Sequence, residues 1–379
     1  MKRFLIYMCV LALALTGCGG EKEADEATAT PAQGKTYEEE EMVQVPEECI
    51  PDEGELLTTD LQVNQQGEPA LYQMLMETDD DGEECAAIME YTLNGDGNWQ
   101  TKEICKEQLL KRLREETQYI LDFPYIRRGD DGNLYVLLRR SDGEQDAGRI
   151  MGQPQEEDRF CEYFLLSVDE ANNRFSEVKL QTKITNDEGT EVDYAKEHDV
   201  TSFHVREDGT AFLVFSGASA MWFDSITGTQ TNFCPTIADS AFGKKVAYGE
   251  TQMIYYSSSH KLFGILDSDT LAVSSYFGKE IPEEDRKYEW YFDTDTTTWQ
   301  TYAFNQSGLY LINDSGKKAS AILLSGANNF DTLADADIYD VLIGAGEELY
   351  VLLRRPSEDD SNFDETLWEY GIVRYRPQK

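Results

Sequence analysis

The chain has 379 residues, 40% of them hydrophobic, with 33 basic against 73 acidic residues and a formal net charge of −40. A surface this acidic repels nucleic-acid phosphates and anionic headgroups, so the chain is expected to bind no nucleic acid and not to adsorb directly to an anionic bilayer. The length is large for one domain unless that domain is a barrel, a sandwich or a repeat array.

Residues 1–17 read as a signal peptide: Lys2 and Arg3 form a positive end, and the apolar stretch over 4–15 is too short for a permanent span. It ends in Leu15-Thr16-Gly17-Cys18, which resembles the lipobox of bacterial lipoproteins. That resemblance implies cleavage before Cys18 and a diacylglyceryl group, with palmitate-type chains, on its thiol. Two such chains give stable anchoring, here on the outer face of the cell membrane. Residues 18–40 carry Gly, Ala, Thr, Pro and many acids, with Tyr37 as the sole aromatic. Such a stretch cannot bury a core, and its like charges extend it into a disordered acidic tether. The folded domain is expected over 41–379.

Beyond the tether the chain is β-rich, with turn signals about every ten residues. Helical periodicity is clear once, over 105–118, where Leu109, Leu110 and Leu113 share a face. The heptapeptide LYVLLRR occurs at 134–140 and again at 349–355, each time after a Gly-rich, acidic turn. A structural unit used more than once is the economical reading. Six units fit, over 56–104, 119–180, 200–233, 245–277, 289–324 and 338–375. Each of the first five supplies four strands, a to d, and the sixth supplies three. The spare strand lies at 41–46, so the N-terminus is expected to complete the last unit.

Six four-stranded units closed in this way describe an all-β fold, a six-bladed β-propeller. Seven blades is the alternative, because 181–199 has room for a further hairpin; a β-sandwich with a second domain is the third. The Asp-Gly turns, the Leu-Tyr-Val strands and the lipobox together resemble bacterial propeller lipoproteins, including the propeller-like portions found beside solute-binding modules of uptake systems. No WD dipeptide marks the strand ends.

Antiparallel strands put the a–b and c–d turns at one end of the ring and the b–c loops and d–a crossings at the other. The long b–c loops, 78–85, 141–161 and 356–366, belong to units one, two and six, which become neighbours on closure. Long loops on a rigid scaffold commonly carry function. The candidate binding residues of this sector are Arg139, Arg140, Arg354 and Arg355 at the strand ends, and Asp80, Asp81, Asp359 and Asp360 in the loops. The arginines are expected to pair with acids such as Asp142, Glu144, Glu358 and Asp359, with an anion site as the alternative reading.

Catalytic signatures are few. His198, His204 and His260 form no metal-binding spacing, and His204 sits in a strand as a structural histidine. The acidic runs 79–84 and 293–295 lack the spacing of an EF-hand, so neither metal nor cofactor is expected. No nucleophile elbow, P-loop or dinucleotide fingerprint occurs. Cys85 and Cys105 fall on one hairpin and are the expected disulfide. Trp99, Trp222, Trp290, Trp299 and Trp368 are expected to pack between blades. The expected function is a non-catalytic, cell-surface binding or scaffolding module for an extracellular protein, peptide or glycan. The alternatives are an accessory of a solute-uptake system, or a glycosidase or lyase, for which acids and aromatics should converge on the ring axis.

Overall fold

The computed structural model describes residues 35–49, 61–78, 84–107, 120–141, 160–185, 189–216, 219–237, 246–249, 252–295, 298–314, 319–356 and 368–378. Two short strands lead, β1 (Tyr37–Glu39) and β2 (Val43–Gln44). Blade one is β3 (Gln62–Val63), β4 (Pro69–Thr78), β5 (Glu84–Leu93) and β6 (Trp99–Glu107). Blade two is β7 (Ile120–Arg128), β8 (Leu134–Ser141), β9 (Cys161–Asp169) and β10 (Arg174–Lys179). A separate hairpin follows, β11 (Lys183–Thr185) with β12 (Glu191–Asp193). Blade three is β13 (Val200–Val205), β14 (Thr210–Phe215), β15 (Ser219–Asp224) and β16 (Gln230–Cys234). Blade four is β17 (Val246–Tyr248), β18 (Gln252–Ser257), β19 (Leu262–Asp267) and β20 (Val273–Phe277). Blade five is β21 (Tyr291–Asp295), β22 (Gln300–Asn305), β23 (Gly308–Asp314) and β24 (Ala319–Gly326). Blade six is β25 (Asp337–Ile343), β26 (Leu349–Pro356) and β27 (Trp368–Pro377), completed by β1 and β2.

The chain is therefore a six-bladed β-propeller. The hairpin expected as a possible seventh blade exists, but it has only two strands. The two LYVLLRR copies are the b strands β8 and β26, with the same run of five buried residues before the arginines. The helical pattern over 105–118 is overridden at its start, where Cys105 to Glu107 continue β6; 108–119 lie outside the described residues.

Side chains alternate along a strand, so each blade feeds one face to each neighbour. Six buried clusters result, one for every pair of adjacent blades. Tyr72 and Ile88 meet Val136 and Leu166 between blades one and two. Leu137 and Leu165 meet Leu213 and Phe223 next, then Phe212 and Trp222 meet Tyr255 and Leu266. Phe263 and Ile265 meet Trp290 and Tyr310, and Phe304 and Leu309 meet Val351 and Val373. The ring closes where Leu352 and Ile372 of blade six meet Leu71 and Tyr91 of blade one, beside Val45 and Cys49.

Closure by the N-terminus takes an antiparallel form. Tyr37, Glu38 and Glu39 pair with Pro377, Arg376 and Tyr375, and Val43 and Gln44 with Ile372 and Gly371. One residue more passes on the N-terminal side than on β27 between these two stretches, a bulge that splits the expected strand in two. The ring begins earlier than residue 41: Tyr37 is buried, and its hydroxyl donates to the Glu347 carbonyl at 3.1 Å. Residues 37–40 thus belong to the propeller and not to the tether.

The hairpin register corrects the expected disulfide. Cys105 stands opposite Ile88, whereas Cys85 stands opposite Glu77. Three residues of strand separate Cys85 from the Cys105 row, roughly 10 Å, beyond the reach of a disulfide.

Gly371 is the tightest point of the seam. A Cβ built there would meet Met42 Cγ at 2.5 Å and the Val43 carbonyl oxygen at 2.8 Å. Backbone that close cannot step aside cheaply. Gly371→Val is therefore expected to lower stability by about 2–4 kcal/mol, read by denaturant unfolding. An unchanged midpoint would show that β2 does not lie on β27.

Candidate functional site

The two ends of the ring differ. At one end the b–c hairpins finish with Thr78 opposite Glu84, Ser141 opposite Cys161 and Pro356 opposite Trp368. The intervening loops are 79–83, 142–160 and 357–367. In the other blades the corresponding hairpins close within 216–218, 258–261 and 306–307, after Phe215, Ser257 and Asn305. The long connections thus belong to blades two and six, on either side of blade one, whose own b–c strands β4 and β5 are ten residues each. Asp80, Asp81, Asp359 and Asp360 of these loops lie outside the described residues, as does Cys18.

The four arginines are not gathered into one site, because alternation splits each pair between two blade interfaces. Arg139 faces blade three, 3.6 Å from Asp199 and 3.9 Å from Asp122. Arg140 faces blade one, 2.5 Å from Glu162, its guanidinium about 5 Å from the Phe160 and Phe164 rings (5.2 and 5.3 Å). Arg354 also faces blade one, bonded to Asp337 at 2.8 Å and stacked 4.6 Å over Trp368. Its hydrogen bonds to Tyr370 and Asp337 hold its pKa above the usual guanidinium range. Arg355 turns the other way, toward Tyr375. Among the described residues the arginines pair with acids such as Glu162 and Asp337; Asp142, Glu144, Glu358 and Asp359 lie outside the described residues. Arg140 and Arg354 flank blade one from its two sides.

Trp222 and Trp290 pack between blades as expected, but Trp368 does not: it is 41% exposed, near Tyr339 at 39%. Both lie beside Arg354 at the long-loop end.

At the opposite end a central cavity of about 690 Å³ opens among the innermost strands. Those strands run side by side without a ladder between them, and polar side chains bridge the inner strands of blades one, two, five and six each to the next blade. Gln62 accepts from Arg128 N at 2.7 Å and donates to the Ile126 carbonyl at 2.7 Å. Arg127 Nη1 donates to the Phe203 carbonyl at 2.8 Å. Asp293 accepts from Ile343 N at 2.6 Å, and Asp340 from Leu61 N at 2.7 Å. His204 Nε2 lies 2.8 Å from Asp130 Oδ2, and its ring stacks 4.1 Å from Tyr248. His204 is thus the structural histidine that its strand position implies.

Acids and aromatics therefore do converge on the axis: Asp293, Asp295 and Asp340 line the cavity with Phe292 and Tyr248. Asp293 was legible only as part of an acidic run; in fact it sits inside β21. Burial lifts its carboxyl to about 6 and Asp295 adds to this, opposed by the Ile343 and Thr294 amides and by Arg127. Among the described residues no group of three His, Cys, Asp or Glu side chains is placed to hold a metal.

No family model matches the chain, and no curated protein matches it. Solved structures similar to it include a chain of the mitotic checkpoint complex, at 10% identity and a TM-score of 0.44 over 97% of this chain and 100% of that one. The WD40 domain of Neurospora crassa Pan2 shares 9% identity at 0.43, over 92% and 98%. BamB from Moraxella catarrhalis shares 11% at 0.37, over 90% and 98%. The fold assignment rests on the chain's own sheets and clusters.

The raised Asp293 value has a thermodynamic consequence. Folding takes up a proton between the unfolded value near 4 and the folded value of about 6. The stabilisation is full below about pH 4 and is lost as pH rises through 6. Asp293→Asn keeps the shape without the titration. Relative to the parent chain it should gain about 1 kcal/mol of unfolding free energy between pH 5.2 and 7.5. A pH-independent difference would contradict the assignment.

Proposed function

We propose that the chain is a lipid-anchored, non-catalytic propeller on the outer face of a bacterial cell membrane. It holds an extracellular protein, peptide or glycan through the long-loop sector of blades six, one and two. The observation that carries this reading is the placement of the two longest b–c connections in blades two and six, on either side of the long b–c hairpin of blade one. The exposed Trp368 and Tyr339 beside Arg354 supply the aromatic and cationic contacts on which such partners dock. The anchor rests on Leu15-Thr16-Gly17-Cys18.

A second reading, hydrolysis or lysis of an extracellular polymer, draws on the carboxylates at the axis. Against it, Asp293 and Asp340 each accept backbone amides on both oxygens, which suits a brace better than an acid that must meet substrate.

Both parts are testable in cells. Cys18→Ala should move the protein from the membrane fraction to the soluble fraction, and equal membrane retention would reject the anchor. Replacing 142–159 by a short Gly-Ser turn should lower partner capture by cross-linking at least tenfold, with the melting temperature unchanged. Undiminished capture would reject the loop sector, and reducing-end release from polysaccharides that Asp295→Asn abolishes would favour the enzyme.

A further inference from the structure

We propose that the exposed aromatic row on blade six docks a cationic polypeptide segment, one rich in arginine or lysine. Trp368 and Tyr339 take the side-chain charges of that segment on their ring faces. The inference rests on the long-loop reading, because the row stands at the root of the blade-six loop, and it narrows the partner to one class.

Strand alternation builds the row. Leu352 and Ile372 set one face of blade six against Leu71 and Tyr91 of blade one. Tyr370 and Trp368 continue that face along β27 toward the long-loop end, and Arg354 stands opposite Tyr370 on β26. Tyr339 joins from β25, where the register shifts between Ile338 and Asp340. The Tyr339 and Tyr370 ring centroids are 6.1 Å apart. Among the described residues, Trp368 and Tyr339 are the two aromatic members of the exposed large hydrophobic side chains, and both stand here. The others, Ile226, Ile322 and Leu323, belong to blades three and five. Paired exposed aromatics at the base of a long connection are what a protein interface uses as anchors.

The polar groups of the row are engaged with one another. Arg354 Nε donates to Asp337 Oδ2 at 2.8 Å, and Arg354 and Tyr339 both bond Tyr370. A glycan is read by hydrogen bonds to its hydroxyls, and these groups already spend theirs on each other. A cation over a ring face asks for no free hydrogen-bonding group, because the ring quadrupole attracts it. The row displays this chemistry with its own side chain: the Arg354 guanidinium lies 4.6 Å from the Trp368 ring centroid and 6.0 Å from that of Tyr339. Asp337 matches the charge of Arg354, so the surrounding field sets the sign of the partner. At a net charge of −40 the chain draws cationic segments and repels anionic ones. Locally, the sequence that joins β26 to β27 adds Glu358, Asp359, Asp360, Asp364 and Glu365 and no base.

Calorimetric titration of the full chain with an end-capped octapeptide of alternating glycine and arginine tests this, alongside its lysine and citrulline counterparts. The arginine and lysine peptides should bind saturably. Citrulline keeps the shape without the charge, and its peptide should bind at least tenfold more weakly. Trp368→Ala should weaken the arginine peptide about threefold to fivefold, the size of an exposed cation–π contact. Tyr339→Ala should act in the same direction, which keeps the test decisive if one variant unfolds, and Ile226→Ala on blade three should change nothing. The proposal is overturned if the citrulline peptide binds as tightly as the arginine one. Parent-like binding by both ring variants overturns it too, since diffuse attraction to an acidic chain would then suffice. So does maltohexaose binding that Trp368→Ala abolishes while no peptide binds, which would assign the row to a neutral glycan. These results reject the partner class alone, whereas undiminished capture after replacing 142–159 rejects the loop sector whatever the peptides do.

Discussion

The pairing of β1 and β2 with β27 is the constraint on which the rest of the molecule depends. Every blade is apolar on both faces, so each needs two neighbours, and an open arc would leave two such faces in water. Closure removes both at once. It also places Val45 and Cys49 in the cluster between blades six and one, so the N-terminal segment contributes packing as well as ladder hydrogen bonds. The contacts it makes are among the most distant in the chain, such as Tyr37 with Pro377. Their loop-closure entropy must be met before they form. The seam is accordingly bound in several ways. Trp99 Nε1 donates to the Gln44 carbonyl at 2.7 Å, and Arg374 and Arg376 both pair with Glu40.

The centre of the ring is held by a different kind of bond. Inner strands of adjacent blades cannot share a ladder, and their amides at the axis would otherwise go without protein partners. Gln62, Arg127, Asp293 and Asp340 supply side-chain partners, each reaching the next blade in the same sense. This bracing puts charged side chains around the cavity. The same residues serve the stability of the ring and the polarity of its channel, as the lifted carboxyl of Asp293 illustrates.

Much of the architecture was legible because the strands are short, alternating and bounded by turns. The LYVLLRR copies fixed two b strands, and the positions of β7 to β10 and β13 to β16 follow from the same alternation. What could not be read was register. A bulge at Ile88/Met89 and the extension of β6 through Glu107 move Cys105 away from Cys85. Residues 37–39 look like tether because two are acidic, yet burial of Tyr37 recruits them. Glu162 could not be picked out as a partner of Arg140 from numbering, because only the ladder sets the two opposite each other. The axial acids were hidden by abundance: among 73 acidic residues nothing local distinguishes Asp293 or Asp340. Only closure of the ring brings them together.

The most direct test of the closed ring is a cysteine pair across the seam, Val43→Cys with Ile372→Cys. These residues face each other in the ladder, with Cα atoms about 4.5–5.5 Å apart as antiparallel partners are, within reach of a disulfide. Mild oxidation of the native protein should join the two peptides, identified by mass spectrometry, and should raise the melting temperature. Two free thiols that modify readily in the native state, with no joined peptide, would contradict the account.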